Sequence, residues 1–117
     1  MTTPIGPYTP IVRAGDWLVC SGQLGLKNGS LVDGGVQDQA RQAIANLSAL
    51  LEGEGASLAD VVKTTVFLAH ISDFPLVNEV YAAGFGDHRP ARSAIAVAAL
   101  PAGGLVEIEA WAFTGAR

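Results

Sequence analysis

The sequence has little charge, one cysteine and no long apolar run. Charged residues make up 15% of its 117 positions and hydrophobic residues 50%, whereas an average globular domain has about 25% charged residues. The single cysteine, Cys20, excludes an internal disulfide framework and is compatible with a reducing cytosol. No apolar run is long enough to span a bilayer, and the N-terminus lacks the charged and apolar segments of a signal peptide. We therefore expect a cytoplasmic protein with no membrane partner.

Basic residues are also few, which limits the possible partners. The seven Lys and Arg are scattered and the formal charge is −4, so the chain has no basic stripe for nucleic acid. We predict no nucleic-acid partner, although an acidic small molecule can still bind at one local, desolvated cation. The length fits a single domain over residues 1–117. Because soluble monomers seldom expose large apolar patches, the low charge also predicts a homo-oligomer.

Hydrophobic periodicity and turn residues predict the element order ββ–α–β–α–ββ. The predicted elements are strands at 10–13 and 17–24, a helix at 36–52, a strand at 60–69, a second helix, and strands at 92–98 and 105–113. The second helix starts in the stretch SDFP, where the side chain of Ser72 or Asp73 can cap it, and runs to about Phe85. The first helix has apolar residues at helical spacing, and the strand at 60–69 is rich in β-branched residues. This order predicts an α+β fold with two helices packed on one face of a mixed sheet.

The stretch HRPARSAIAVAALP, residues 88–101, places Arg92 between a proline bend and an apolar run. A guanidinium is always charged and fits a carboxylate with two parallel hydrogen bonds, so Arg92 has either a structural acid beside it or an acidic ligand. Strand alternation puts Arg92 and Ala94 on one face, and Glu107 and Glu109 share a face of the last strand. If the branched faces meet the helices, Arg92 and both glutamates lie on the opposite face, as a pocket wall or subunit interface.

Several stretches together resemble one family in their order and spacing: IGPY, SGQL, ARQAIANL, VVKTTVFL, VNEVY, RPARSAIAV, LP and VEIEAWA. The chain is similar over nearly its whole length to the RidA (YjgF-type) family of enamine/imine deaminases. The resemblance implies a chorismate-mutase-like fold and a homotrimer with three ligand clefts between neighbouring subunits. It also implies hydrolysis of 2-imino acids, such as 2-iminopropionate from 2-aminoacrylate, to 2-oxo acids and ammonia.

The resemblance also implies roles for individual residues. Arg92 would grip the substrate carboxylate, Glu107 would hold the attacking water, and Tyr8 would close the cleft. The implied substrate-binding residues are Arg92, Tyr8, Asn78, Ser21, Gly22 and Ala94. Ala94 stands where the family commonly has cysteine, so that thiol is absent, although the backbone N–H remains. Imine hydrolysis needs no metal or cofactor, and His70 and His88 lack partners at ligand spacing, so we predict neither.

Other interpretations of the same residues stay open at this point. Arg92 can be a structural ion-pair partner of Glu107 or Glu109, and Glu109 can pair with Lys63. The same trimer can bind 2-oxo acids or related small carboxylates without turnover. Ribonuclease or RNA-binding activity, which has been attached to some relatives, fits poorly with the acidic charge.

Overall fold

The computed structural model of the chain describes residues 4–116. Its strands are β1 (Ile11–Ala14), β2 (Trp17–Leu24), β3 (Leu26–Lys27), β4 (Ser30–Leu31), β5 (Val61–Leu68), β6 (Ala91–Ala96) and β7 (Val106–Phe113). Its helices are α1 (Val36–Glu52) and α2 (Phe74–Phe85). Short 3-10 turns lie at Leu58–Asp60, Ile71–Asp73 and Pro101–Gly103. The predicted element order is confirmed, with the small β3–β4 hairpin and the 3-10 turns added to it.

The main sheet has the strand order β1-β2-β7-β5-β6. Strands β5 and β6 are parallel, and the other neighbours are antiparallel. Both helices bury their apolar sides against the same face, in a core that includes Leu47 of α1, Val77 of α2 and Ile108 of β7. The prediction of a mixed sheet with two helices on one face is confirmed.

The two helices differ in how well the sequence predicts their ends. Helix α1 begins and ends at the predicted residues, because its apolar positions repeat at helical spacing and Gly53 follows its last turn. Helix α2 also ends as predicted, and Pro75 lies in its first turn. The expected side-chain cap is wrong, since Asp73 precedes the helix but makes no capping hydrogen bond. The 3-10 turn Ile71–Asp73 already brings the chain into helical conformation, with φ −81° and ψ −5° at Asp73.

Strand β2 contains a bulge at residues that the sequence assigns to the site. The pairing of β2 with β7 shifts between Cys20 and Gln23, so Ser21 and Gly22 form a bulge. Such bulges bend a strand and redirect its side chains, and they are common beside functional sites. The bulged residues belong to the segment that the sequence assigns to the ligand cleft.

The face assignment of β6 is the main correction to the sequence prediction. In the parallel pair, Arg92 lies beside Thr64, which is fully buried and bonds to Tyr81 of α2, whereas Ile95 is 49% exposed on the other face. Arg92 therefore faces the helices and the branched residue does not. The reason is that β6 is an edge strand: small alanines and the arginine stem fit beneath the large side chains of α2, and Ile95 extends the uncovered face.

The sheet face away from the helices carries exposed apolar side chains. Trp17 and Trp111 are 38% and 45% exposed and contact each other edge to face, with ring centroids 6.2 Å apart. Val12 and Ile95 are also about half exposed on this face. We call it the open face. Its composition is that of a surface which another molecule covers.

Candidate functional site

The first group of predicted site residues lines a cleft of about 360 Å³. Its lining includes Tyr8, Ser21, Gly22 and Glu107, all of which the sequence assigns to the site. The Ser21 hydroxyl donates to the carbonyl of Thr9 at 2.7 Å, and the Ser21 N–H donates to the carbonyl of Pro10 at 2.8 Å. These two bonds fasten the arm that carries Tyr8 to the bulged strand. The structure thus brings these four residues together.

Gly22 is required by the closeness of the Glu107 carboxylate. A Cβ atom at Gly22 would lie 2.8 Å from Cδ of Glu107 and 2.9 Å from its Oε2, well inside van der Waals contact. Any other residue would displace the carboxylate. The absence of a side chain at Gly22 therefore leaves the space in the cleft that the Glu107 carboxylate occupies.

The surroundings of Glu107 make its carboxyl group easier to protonate than that of an ordinary glutamate. Burial, and then repulsion from nearby Glu109, raise the pKa of Glu107 above its ordinary value. The ammonium of Lys63 donates to the Ser93 hydroxyl at 2.9 Å. Within residues 4–116 the ion pairs are Arg13–Glu54 and Arg41–Asp38, so the alternative pairing of Glu109 with Lys63 is wrong within one chain. A carboxylate of raised pKa is suited to exchanging a proton with water.

The second group lies on the helix side of β6. Arg92 donates from Nη1 to Oδ1 of Asn78 at 2.8 Å, and its Cζ atom lies 5.2 and 4.9 Å from the ring centroids of Phe74 and Tyr81. Ala94, two residues on, packs against the core. Neither ion pair among the described residues includes Arg92. The alternative in which Arg92 is a structural ion-pair partner of a glutamate is therefore wrong within one chain.

A single chain does not bring the two groups together. Arg92 lies on the helix face, whereas Glu107 pairs with Phe67 and Glu109 with Thr65 on the open face. The expectation that Arg92 shares a face with the glutamates is wrong for this reason. Phe74 and Tyr81 are not among the residues that the sequence indicates. Their spacing from Asn78, at i, i+4 and i+7 along α2, is the signal that identifies them.

The remaining reactive side chains have structural environments. Cys20 is 2% exposed, and burial raises the pKa of its thiol to about 11, so its interpretation as a small buried apolar residue is confirmed. His88 is half-buried, with Nε2 2.6 Å from the carbonyl oxygen of Val61. Among residues 4–116 no group of three or more His, Cys, Asp or Glu could hold a metal ion. Neither helix in this range is long and apolar enough to cross a membrane.

The layered sheet and helices define an α+β protein with close structural counterparts. The crystal structure of RidA from the Antarctic bacterium Psychrobacter is 42% identical, with a TM-score of 0.91 and coverage of 95% of this chain and 91% of that one. Escherichia coli TdcF with bound serine is 38% identical, with a TM-score of 0.90 and coverage of 96% and 91%. The family model described as Endoribonuclease L-PSP matches residues 1–114. The chain belongs to this family, the YjgF/RidA family.

Curated relatives carry more specific names. The human protein named 2-iminobutanoate/2-iminopropanoate deaminase is 47% identical over 113 residues, which are 95% of this chain and 82% of that protein. A RutC family protein of Pyrococcus horikoshii is 47% identical over 112 residues, covering 94% and 89%. The resemblance inferred from the sequence motifs is thereby confirmed.

Proposed function

We propose that the protein hydrolyses 2-imino acids and their enamine tautomers to 2-oxo acids and ammonia. The observation that carries this proposal is the 47% identity to the human deaminase over 95% of the chain. That protein's name specifies 2-iminobutanoate and 2-iminopropanoate. The carboxylate of Glu107 in the cleft and the guanidinium of Arg92, which is in neither ion pair among the described residues, supply the two kinds of group that such a reaction needs.

The proposed chemistry uses side chains alone. Arg92 binds the substrate carboxylate and fixes the position of the imine carbon. The Glu107 carboxylate orients a water molecule and takes its proton as the oxygen bonds to that carbon. Glu107 then gives this proton to the nitrogen, which leaves a carbinolamine with one hydroxyl and one amino group. The carboxylate next takes the hydroxyl proton and passes it to the amino group, so the C–N bond breaks and ammonia leaves as the C=O bond forms. Tyr8 closes the cleft and offers a hydroxyl to the reacting groups, and no cofactor is required.

We further propose that the complete site forms between subunits of a homotrimer. One subunit would supply Glu107 with Tyr8, Ser21 and Gly22, and its neighbour would supply Arg92 with Asn78 and Ala94. Two features support this arrangement: the two groups lie on opposite faces of one sheet, and the open face presents exposed tryptophans. Strand β6 is also a sheet edge, and an edge leaves backbone N–H groups free for a ligand.

The direct test is hydrolysis of 2-iminopropanoate generated in place by an amino acid oxidase. We expect the protein to accelerate loss of the imine and appearance of the 2-oxo acid over the spontaneous rate. Calorimetric titration with the 2-oxo acid, run in parallel, measures binding alone. Binding without acceleration would contradict the enzymatic proposal and favour the non-catalytic carboxylate-binding protein.

The pH dependence of this activity offers a second prediction, through Glu109. Because the pKa of Glu107 is raised, its carboxylate is protonated, and activity lost, at a higher pH than for an ordinary glutamate. Glu109→Gln removes the repulsive charge but not the burial, so the acidic limb of kcat/KM should move to lower pH. The control is Glu79→Gln, which changes an exposed carboxylate on α2. An acidic limb that stays in place, or moves upward, would contradict the assigned role of Glu107.

A further inference from the structure

One stripe of α2 contacts the guanidinium of Arg92 with three side chains. Phe74, Asn78 and Tyr81 follow one another at i, i+4 and i+7 and so lie along one side of the helix. Asn78 accepts one N–H of the guanidinium. Both ring centroids lie 5.2 Å or less from Cζ of Arg92, within the roughly 6 Å range of cation–π attraction. We call Phe74 and Tyr81 the aromatic shelf.

The Tyr81 ring is held firmly on two sides. Its side chain is 5% exposed, and its hydroxyl oxygen lies 2.6 Å from Oγ1 of Thr64 in a hydrogen bond. The ring also packs against that of Phe85, with centroids 4.6 Å apart. Thr64 itself is fully buried and lies beside Arg92 in the β5–β6 pair. The ring is therefore fixed to the same pair of strands that carries the arginine.

The shelf can orient the arginine without neutralising it. Burial raises the pKa of Tyr81, so its phenol stays uncharged at neutral pH, and the described ion pairs do not include Arg92. A carboxylate in the same place would also orient the guanidinium, but it would occupy the N–H fork that a ligand carboxylate needs. Aromatic rings attract the cation through their faces and leave the in-plane N–H groups available.

We propose that Tyr81, braced by Thr64 and assisted by Phe74, is a positioning residue that fixes the plane of the Arg92 guanidinium for the substrate carboxylate. The inference rests on the proposed function, in which Arg92 binds that carboxylate. Asn78 sets the position of one guanidinium nitrogen, and the shelf sets the plane of the remaining N–H groups. Tyr81 acts through Arg92 and does not itself contact the reacting atoms.

The first test compares variants that remove a ring with one that keeps it. Tyr81→Leu and Phe74→Leu should each lower kcat/KM for imine hydrolysis by about 2- to 30-fold, the factor that loss of a cation–π contact corresponds to. Tyr81→Phe keeps the ring and loses only its bond to Thr64, so it should rescue most of the activity. Phe74 is only half-buried, and its variant keeps the proposal testable if Tyr81→Leu does not fold.

Two controls separate positioning from general destabilisation. Leu47→Ala removes a buried side chain of α1 from the same core, away from Arg92. This variant should lower Tm while leaving kcat/KM of the folded protein unchanged. In an Arg92→Ala background, the shelf variants should cause no further loss of activity, because the residue through which they act is gone. An equal loss in both backgrounds would overturn the shelf and assign the two rings a purely structural role.

A spectroscopic readout keeps the shelf testable if the enzymatic proposal fails. Nitrogen-15 NMR of the Arg92 side chain should detect slow rotation about its Nε–Cζ bond in the unaltered protein and faster rotation in Tyr81→Leu and Phe74→Leu. This measurement needs no substrate, so absence of imine hydrolysis would reject the proposed function alone. Rapid rotation in the unaltered protein, or the same rotation in the shelf variants, would reject the shelf.

Discussion

Replacement of Arg92 by lysine is expected to lower kcat/KM for imine hydrolysis on the order of 10²-fold, with little change in Tm. The lysine keeps the positive charge but offers a point charge on a flexible stem in place of a planar fork. It also loses the hydrogen bond to Asn78 and the flat contact with Tyr81. The substrate carboxylate would then be held loosely, and a misplacement of about 1 Å can cost 10²-fold in rate.

Arg92→Ala should be at least as inactive, because binding and orientation are both lost. Each variant is measured for imine hydrolysis, for 2-oxo acid affinity and for Tm. The matched control is Arg41→Lys, which alters an arginine in an exposed pair with Asp38 on α1, where little stability is at stake. Near-normal hydrolysis by Arg92→Ala would contradict the carboxylate-binding role. Dissociation of the assembly that accounts for all the lost activity would also contradict this role. That result is expected if Arg92 belongs to a buried ion pair, because breaking such a pair destabilises a protein by about 3–5 kcal/mol.

Local sequence patterns predicted most of the helices and strands correctly. The spacing of apolar residues gave both ends of α1, and turn residues placed the β1–β2 hairpin and the end of α2. These features depend on residues a few positions apart, so the sequence contains their cause. The parallel pairing of β5 with β6, and the position of β7 between β2 and β5, join residues far apart in the chain, and periodicity does not determine them.

The site was predictable in residue type but not in arrangement. The motifs indicated Arg92, Glu107 and Gly22, and the structure gives Gly22 a clear role beside the Glu107 carboxylate. Alternation separates the two faces of β6 but does not say which face meets a helix. The rule that branched residues face the core failed because Ile95 lies on an edge strand whose helix side is filled by Phe74 and Tyr81.

Mixing two inactive variants should restore activity if the site is shared between subunits. Arg92→Ala lacks the carboxylate-binding group, and Glu107→Gln lacks the group that activates water. In a trimer that takes these residues from neighbouring subunits, every mixed trimer has one cleft formed by an intact Arg92 and an intact Glu107. Random refolding of equal amounts makes about three quarters of the trimers mixed, so roughly one quarter of the unaltered activity should return.

The matched control is a mixture of Arg92→Ala with Asn78→Ala. Asn78 bonds to Arg92 within one chain, so both changes fall in the same half of the cleft. Every cleft in this mixture therefore lacks either Arg92 or Asn78, whichever subunits form it. This mixture should therefore regain at most the activity that the Asn78→Ala half itself supports. Sedimentation of each mixture measures the size of the assembly. If the mixture of Arg92→Ala and Glu107→Gln forms trimers but regains no activity, the two residues do not meet across a subunit boundary.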